Sequence, residues 1–320
     1  MENEIKQKDS LLPASILVST VILAGVWLYT ASPQDPQNQP QIQSRQKTSE
    51  GIVLPVRWND LGAKMISVGV IDAGKFEQLY ASRGGLDNEA KALLYGEQNG
   101  NLKITSENSG MILNLLWALG LGAKNDILET GPMMTYGRAG SPADLSAKAL
   151  ASAGALAKAG NLASTGGWTL AKGNAMDHYS RHPLIVLSQE QQELVERVAK
   201  NIYRPCCDNS TYFPDCNHGM AMLGFLELMA SQGISEQEMY KAALEVNSYW
   251  FPDEYSTIAR YFASKGQTLS AIDPKEILGP KYSSASGFRQ VASLVPQVKS
   301  QGGSGCGLET EEQKSGGCGI

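Results

Sequence analysis

The sequence predicts an all-α protein: an N-terminal transmembrane helix, a flexible linker, a multi-helix soluble domain ending in a three-helix bundle, and a disordered C-terminal tail. Three observations lead there. One run near the start carries no charge over a membrane-spanning length. Apolar residues then recur at helical spacing, with cap signals and no sustained alternation. The end of the chain holds Gly, Ser and charge with no apolar stripe.

The first part is residues 1–10, a short cytoplasmic N-terminus. The run "LLPASILVSTVILAGVWLYTA", residues 11–31, has no charged residue. At 1.5 Å per residue it covers roughly 30 Å, the hydrocarbon thickness of a bilayer. Trp27 and Tyr29 sit near its far end, where an aromatic belt falls. The run is long for a signal-peptide core, and Tyr29-Thr30-Ala31 is a poor cleavage site, so a retained anchor is expected. Lys6 and Lys8 lie close to the near side, whereas the first basic residues beyond are Arg45 and Lys47. That asymmetry places the chain as a single-pass cell-membrane protein with its soluble part extracytoplasmic. Residues 32–51 are rich in Pro and Gln and read as an extended tether.

Residues 52–183 read as an all-α domain with no catalytic constellation. From Ile52 onward the pattern is taken as helical. Leu61, Met65, Ile66 and Val70, then Phe76, Leu79 and Tyr80, fit two short helices broken near Asp72. A third, apolar helix starts near Ser109 and ends at the glycines 120–122, too short to cross a membrane. The Ala-rich stretch after Ser141 and Pro142 fits a further helix. Residues 184–296 form the bundle. Ser188 and Gln191 have capping-box spacing, Leu194, Val195, Val198 and Ile202 make a stripe, and Pro205 is expected to end that helix. A helix apolar nearly all round follows His218, with Gly233 as its cap. Ser235 and Glu238 open the third, Pro252 stops it, and another starts at Asp253. Residues 297–320 are the Gly/Ser-rich tail, which carries Cys306 and Cys318.

Net charge is −5 and charged residues make up 18% of the chain, with no long basic block. That composition speaks against phosphate-tracking nucleic-acid binding. "STGGWTLAKGN", residues 164–174, is Gly-rich but lacks the order of a phosphate loop, so no nucleotide cofactor is expected.

The chemistry concentrates in "RPCCDNSTYFPDCNHGM", residues 204–220. Cys206 and Cys207 follow one helix, and Cys216 and His218 open the next. A tight loop gathers these four into one volume. Thiolate and imidazole suit soft or borderline ions such as Zn(II) or Cu(I), and a helix N-terminus favours the thiolate form. His178 and His182 are four apart, share a face if helical, and are further candidate ligands. Adjacent cysteines rarely both chelate one tetrahedral ion, so Cys206 or Cys207 is expected to be the odd one out. Asp208 and Asp215 are candidate acceptors for histidine N–H groups. Met220, Met222 and Met229 read as core filler. A disulfide from Cys216 to Cys206 or Cys207 is the structural alternative, and the odd total of five cysteines leaves at least one thiol outside internal pairs.

Residues from about 201 to 251, including "ASQGISEQEM" and "NSYWF", resemble the three-helix domain of the CcmH family, the membrane-anchored thiol oxidoreductases of cytochrome c maturation. The resemblance implies helix, cysteine loop, helix, turn, helix. It also implies a thiol–disulfide activity. The family separates its cysteines by two residues, whereas Cys206 and Cys207 are adjacent.

Three functions follow. The first is a membrane-anchored extracytoplasmic protein that binds Zn or Cu through Cys207, Cys216 and His218, completed by Cys206, His178 or His182. In that reading the tail thiols Cys306 and Cys318 exchange metal. The second is a thiol–disulfide oxidoreductase in which Cys206 or Cys207 attacks and Cys216 resolves. The third is a disulfide-stapled scaffold. The expected partners are the membrane, through residues 11–31, and a protein that exchanges metal or thiol equivalents.

Overall fold

An apolar alternation at the start of the soluble part sets the first element. In the computed structural model, which describes residues 51–135, 156 and 158–295, Ile52–Asn59 is a strand (β1). Leu54, Val56 and Trp58 point inward while their neighbours face out. β1 pairs antiparallel with β2, Asn99–Ile104, in the register Ile52 to Ile104 and Asn59 to Asn99. The register shifts between Val53 and Arg57, around Pro55, which has no N–H for the ladder. The expectation of helix from Ile52 is therefore corrected for these eight residues. Period two wins there because Leu54, Val56 and Trp58 cover a core on one face only. The chain is otherwise mostly helical.

Helices α1 (Leu61–Val68) and α2 (Ala73–Ala81) meet at Asp72, whose carboxylate caps α2 by accepting from the Lys75 N–H. α3 (Asn88–Tyr95) leads into β2. α4 (Ser109–Gly122) is the buried apolar helix, and the short α5 (Asp126–Thr130) and α6 (Pro132–Thr135) follow. After residues 160–188, which are largely irregular, come α7 (Gln189–Ala199), α8 (Asn217–Ser231), α9 (Glu236–Trp250) and α10 (Pro252–Ser264). Three short helices close the described chain: α11 (Pro274–Leu278), α12 (Pro280–Ser283) and α13 (Ala285–Ser293).

The centre is the crossing of α4 and α8. Gly120 and Gly224 let the backbones touch there: a Cβ on Gly224 would lie 2.5 Å from the Leu116 carbonyl oxygen and 2.6 Å from the Gly120 nitrogen. Around this crossing one core joins residues from Leu54 to Leu278, including Trp117 and Trp168, whose rings lie 5.0 Å apart. A smaller core of Phe251, Tyr255, Ile258, Phe262, Tyr282 and Phe288 sits beside it, with Cys206 against its edge. The Gln232 side chain joins β1 to the end of α8, accepting from the Arg57 N–H and donating to the Arg57 carbonyl.

The cap expectations on α7 and α9 are realised: Ser188 with Gln191 forms a full capping box, and Ser235 accepts from the Glu238 N–H. α7 ends at Ala199 rather than running to Pro205, because the chain turns to pair with other elements, Tyr203 N–H donating to Leu278 and Tyr212 N–H to Ala199. Among the described residues no helix is long and apolar enough to cross a membrane. The expected anchor at 11–31, all of the linker before residue 51, most of the Ala-rich helix, and Cys306 and Cys318 lie outside the described residues.

Candidate metal centre

The loop between α7 and α8 is tied down on both sides before any side chain is considered. Thr211 N–H and hydroxyl both donate to the Ile202 carbonyl. Ser164 N–H donates to Asp215, and Ala285 N–H at the start of α13 donates to Cys207. Asp208 accepts from the Ser286 N–H over 2.7 Å, so it caps α13. This anchorage fixes the backbone of residues 204–216 and so the directions of its sulfurs.

Cys216 is the N-cap of α8, its sulfur accepting from the Gly219 N–H over 3.4 Å. Cys206 Sγ lies 3.6 Å from Cys216 Sγ and 3.9 Å from His218 Nδ1. Cys207 Sγ lies 3.9 Å from Cys216 Sγ and 3.9 Å from Asp215 Oδ1. Two ligand groups result, Cys206/Cys216/His218 and Cys207/Asp215/Cys216, each with its donor atoms within 4.8 Å of one another. Cys216 belongs to both. A tetrahedral ion with metal–sulfur bonds of about 2.3 Å needs sulfurs about 3.8 Å apart, which the two spacings bracket. Cys206, Cys207 and Cys216 are not joined in a disulfide in this structure.

Arg204 organises the group. Its side chain is 1% exposed. Nε donates to Cys216 Sγ at 3.1 Å, Nη1 to the Asn209 carbonyl at 2.8 Å, and Nη2 to Asp215 Oδ1 at 2.7 Å and to the Phe213 carbonyl at 3.3 Å. Asn209 Nδ2 donates to the other Asp215 oxygen at 2.7 Å. The guanidinium lies flat on Gly219, where a Cβ would come within 2.6 Å of Cζ. Only glycine leaves that room.

The electrostatics single out one sulfur. Hydrogen bonds from the Cys206 and Cys207 thiols, with the Arg204 charge added, hold Cys216 well below the usual thiol range although it is buried. Its neighbours move the other way. Cys207 and Cys216 sulfurs together with burial push Cys206 far up. Cys206 works to lower Cys207, but the Cys216 sulfur and burial prevail and raise it to about 12. The loop thus favours ionisation at Cys216 over Cys206 and Cys207, next to a buried cation. Burial works against the Arg204 charge, yet the three sulfurs and Asp215 hold it above its ordinary value. The His218 ring is wedged against Phe251, with ring centres 4.5 Å apart, and against Trp250 at 5.8 Å, which aims Nδ1 at Cys206.

Of the candidate ligands, the structure gathers Cys206, Cys216 and His218 in one group and Cys207 with Asp215 and Cys216 in the other. His178 and His182 form a pair of their own. His178 ends a 3-10 turn, Ala175–Asp177, while His182 is extended and bridged to Ala123. They meet not through a shared helix face but through a hydrogen bond of 3.0 Å, and neither belongs to a candidate ligand group among the described residues. Asp208 and Asp215 are not histidine acceptors; they cap α13 and pair with Arg204. Met220, Met222 and Met229 are buried core side chains. Arg204 and Gly219 were the functional positions hidden in the sequence, since nothing local marks an arginine for burial. No protein family, characterised protein or solved structure matches this chain.

Proposed function

We propose that this chain is a membrane-anchored extracytoplasmic protein that binds one soft or borderline ion, Zn(II) or Cu(I), through Cys206, Cys216 and His218. The observation that carries the reading is the convergence of two sulfurs and an imidazole nitrogen, within 4.8 Å, from a loop and a helix N-terminus. Sulfur–nitrogen donor sets select such ions over Mg or Ca. The depressed pKa of Cys216 lowers the cost of the first bond, because a ligand must be deprotonated to bind. The Arg204 charge offsets the negative charge that accumulates when a second thiol ionises. Three protein ligands leave one tetrahedral position open, as in sites that exchange what they hold. Residues 11–31 would tether the site to the membrane, and Cys306 and Cys318 would serve as accessory thiols toward an exchange partner.

Metal analysis of the full chain in detergent tests the reading. After loading with Zn(II) or with Cu(I) under reducing conditions, one ion per chain is expected, lost in Cys216→Ser and in His218→Ala. A wild-type chain that retains neither ion sinks it.

A second reading, a CcmH-like thiol–disulfide oxidoreductase, draws support from the 3.6 Å between Cys206 and Cys216 sulfurs. The charges then reverse the expected roles, with Cys216 the attacking thiolate and Cys206 the resolving thiol. A reversible Cys206–Cys216 bridge in a metal-free chain, titrating against glutathione, distinguishes it.

A further inference from the structure

We infer that Cys207 is the exchange ligand of this centre, taking the ion from Cys206 and passing it to an outside thiol, so that the metal is cargo rather than a fixture. The inference rests on the metal reading above and adds the route of release. Its core is the shared sulfur. Cys216 lies 3.6 Å from Cys206 and 3.9 Å from Cys207 and belongs to a candidate ligand group with each. Both separations sit close to the edge of about 3.8 Å that a tetrahedral ion needs. An ion resting on Cys216 therefore reaches either partner by turning a side chain.

The two sides are not equal resting places. On the Cys207 side, Arg204 already occupies two of the three donors, Cys216 Sγ through Nε and Asp215 Oδ1 through Nη2. An ion settled there would face a buried guanidinium at close range. On the Cys206 side the third donor is His218, a neutral ligand in its metal-binding form, backed by aromatic rings. The Cys206 side holds the ion, and the Cys207 side lets it pass.

Cys207 is built for a transient role. Its sulfur makes long contacts, each at 3.9 Å, with the Asn209 carbonyl, Asp215 Oδ1 and Cys216 Sγ, and it also interacts with the Cys206 thiol. It is half-buried, so an incoming thiol can approach. Its backbone is tied at both ends, since its N–H donates to Arg204 and its carbonyl accepts from Ala285.

The step conserves charge and oxidation state. The metal–sulfur bond to Cys207 forms as that thiol gives up its proton. The bond to Cys206 breaks, and the freed Cys206 thiolate takes a proton in return. Two outside thiols, or the two arms of one dithiol, then replace Cys207 and Cys216, each giving up one proton as the departing cysteine takes one, and the His218 nitrogen leaves as a neutral ligand.

The experiment loads the full chain with Zn(II) or Cu(I) and follows transfer to excess dithiothreitol, for wild type, Cys207→Ser and Cys207→Ala. Both variants are expected to keep one ion per chain and to transfer it at least about tenfold more slowly, the scale on which groups around a site act. Wild-type transfer rates in both variants overturn the inference alone, as does loss of the ion from both. A wild-type chain that takes up no ion overturns the metal reading and the inference together.

Discussion

The Arg204 Nε donates to Cys216 Sγ over 3.1 Å from a guanidinium that is otherwise spent on Asp215 and two loop carbonyls. Such a group serves the fold and the site at once. It satisfies carbonyls that the loop leaves unpaired, and it faces the sulfur that both ligand groups share.

Removing one partner of a buried ion pair leaves the other charge uncompensated, at about 3–5 kcal/mol. Arg204→Met is expected to lose about that much in urea denaturation, since Asp215 stays behind. Arg204→Lys keeps the charge but not the planar fork. It should fold and bind metal about 10–100-fold more weakly. An Arg204→Met chain as stable as wild type would show that the loop is held without its guanidinium.

The crossing of α4 and α8 offers a test of a different kind. A Cβ at Gly224 would meet backbone atoms of Leu116 and Gly120, which cannot swing aside as a side-chain tip can. Gly224→Ala should therefore cost about 1–3 kcal/mol, although alanine favours helix by roughly 1 kcal/mol. Because α8 carries Cys216 and His218, the same variant should weaken metal binding. Thermal unfolding and metal titration read the two effects, and an unchanged melting temperature would mean that the helices sit further apart.

Most of this helical frame was legible in the sequence because its signals are local. Ser188 and Ser235 cap helices where their spacing said they would, the break expected near Asp72 is the start of a helix, and the apolar run after Ser109 is the buried helix. The hairpin was not legible. β1 needs a partner more than forty residues on, and β2, "NGNLKI", is poor in strand-forming residues, with only Leu102 and Ile104 facing the core. Alternation of Leu54, Val56 and Trp58 was the one available signal.

At the site, the crowding of Cys206, Cys207, Cys216 and His218 followed from their nearness in sequence. Which sulfur faces which side did not, for that depends on Ala285, Ser286 and Ser164 pinning the loop from distant segments. The burial of Arg204 depends on the absence of a side chain at Gly219, a relation between two residues that no pattern along the chain expresses.

Glu227 lies in the middle of α8 with 1% exposure. Oε1 accepts from Asn125 Nδ2 at 2.6 Å, and Oε2 has no hydrogen-bond partner. Burial raises its pKa well above the ordinary 4.5. The folded chain thus keeps a proton that the unfolded chain releases. Its stabilising contribution is complete below about pH 4.5 and is lost as pH rises through the folded value, at about 1.4 kcal/mol per unit of separation. Glu227→Gln preserves the acceptor for Asn125 and has no proton to lose. Its unfolding free energy should match wild type near pH 4 and exceed it increasingly above. Parallel pH profiles would mean that Glu227 is ionised in the fold.

The histidine pair gives the opposite sign. His178 Nε2 faces the Lys172 carbonyl at 2.8 Å and must donate to it, so a neutral His178 accepts at Nδ1 from His182 Nε2. Burial, then the neighbouring His178 and Arg181, lower the His182 pKa below its usual 6.5. The unfolded chain therefore takes up a proton before the folded one does. Stability from this residue is complete above pH 6.5 and declines as pH falls through the window beneath it, until His182 is protonated in the fold as well. His182→Gln keeps an N–H for His178 without a titrating group, and should flatten the stability profile in that window alone. The His182 ring resonance, followed by NMR, should titrate with a midpoint below 6.5. A midpoint at or above that value would mean that the pair does not share its hydrogen bond in the neutral form.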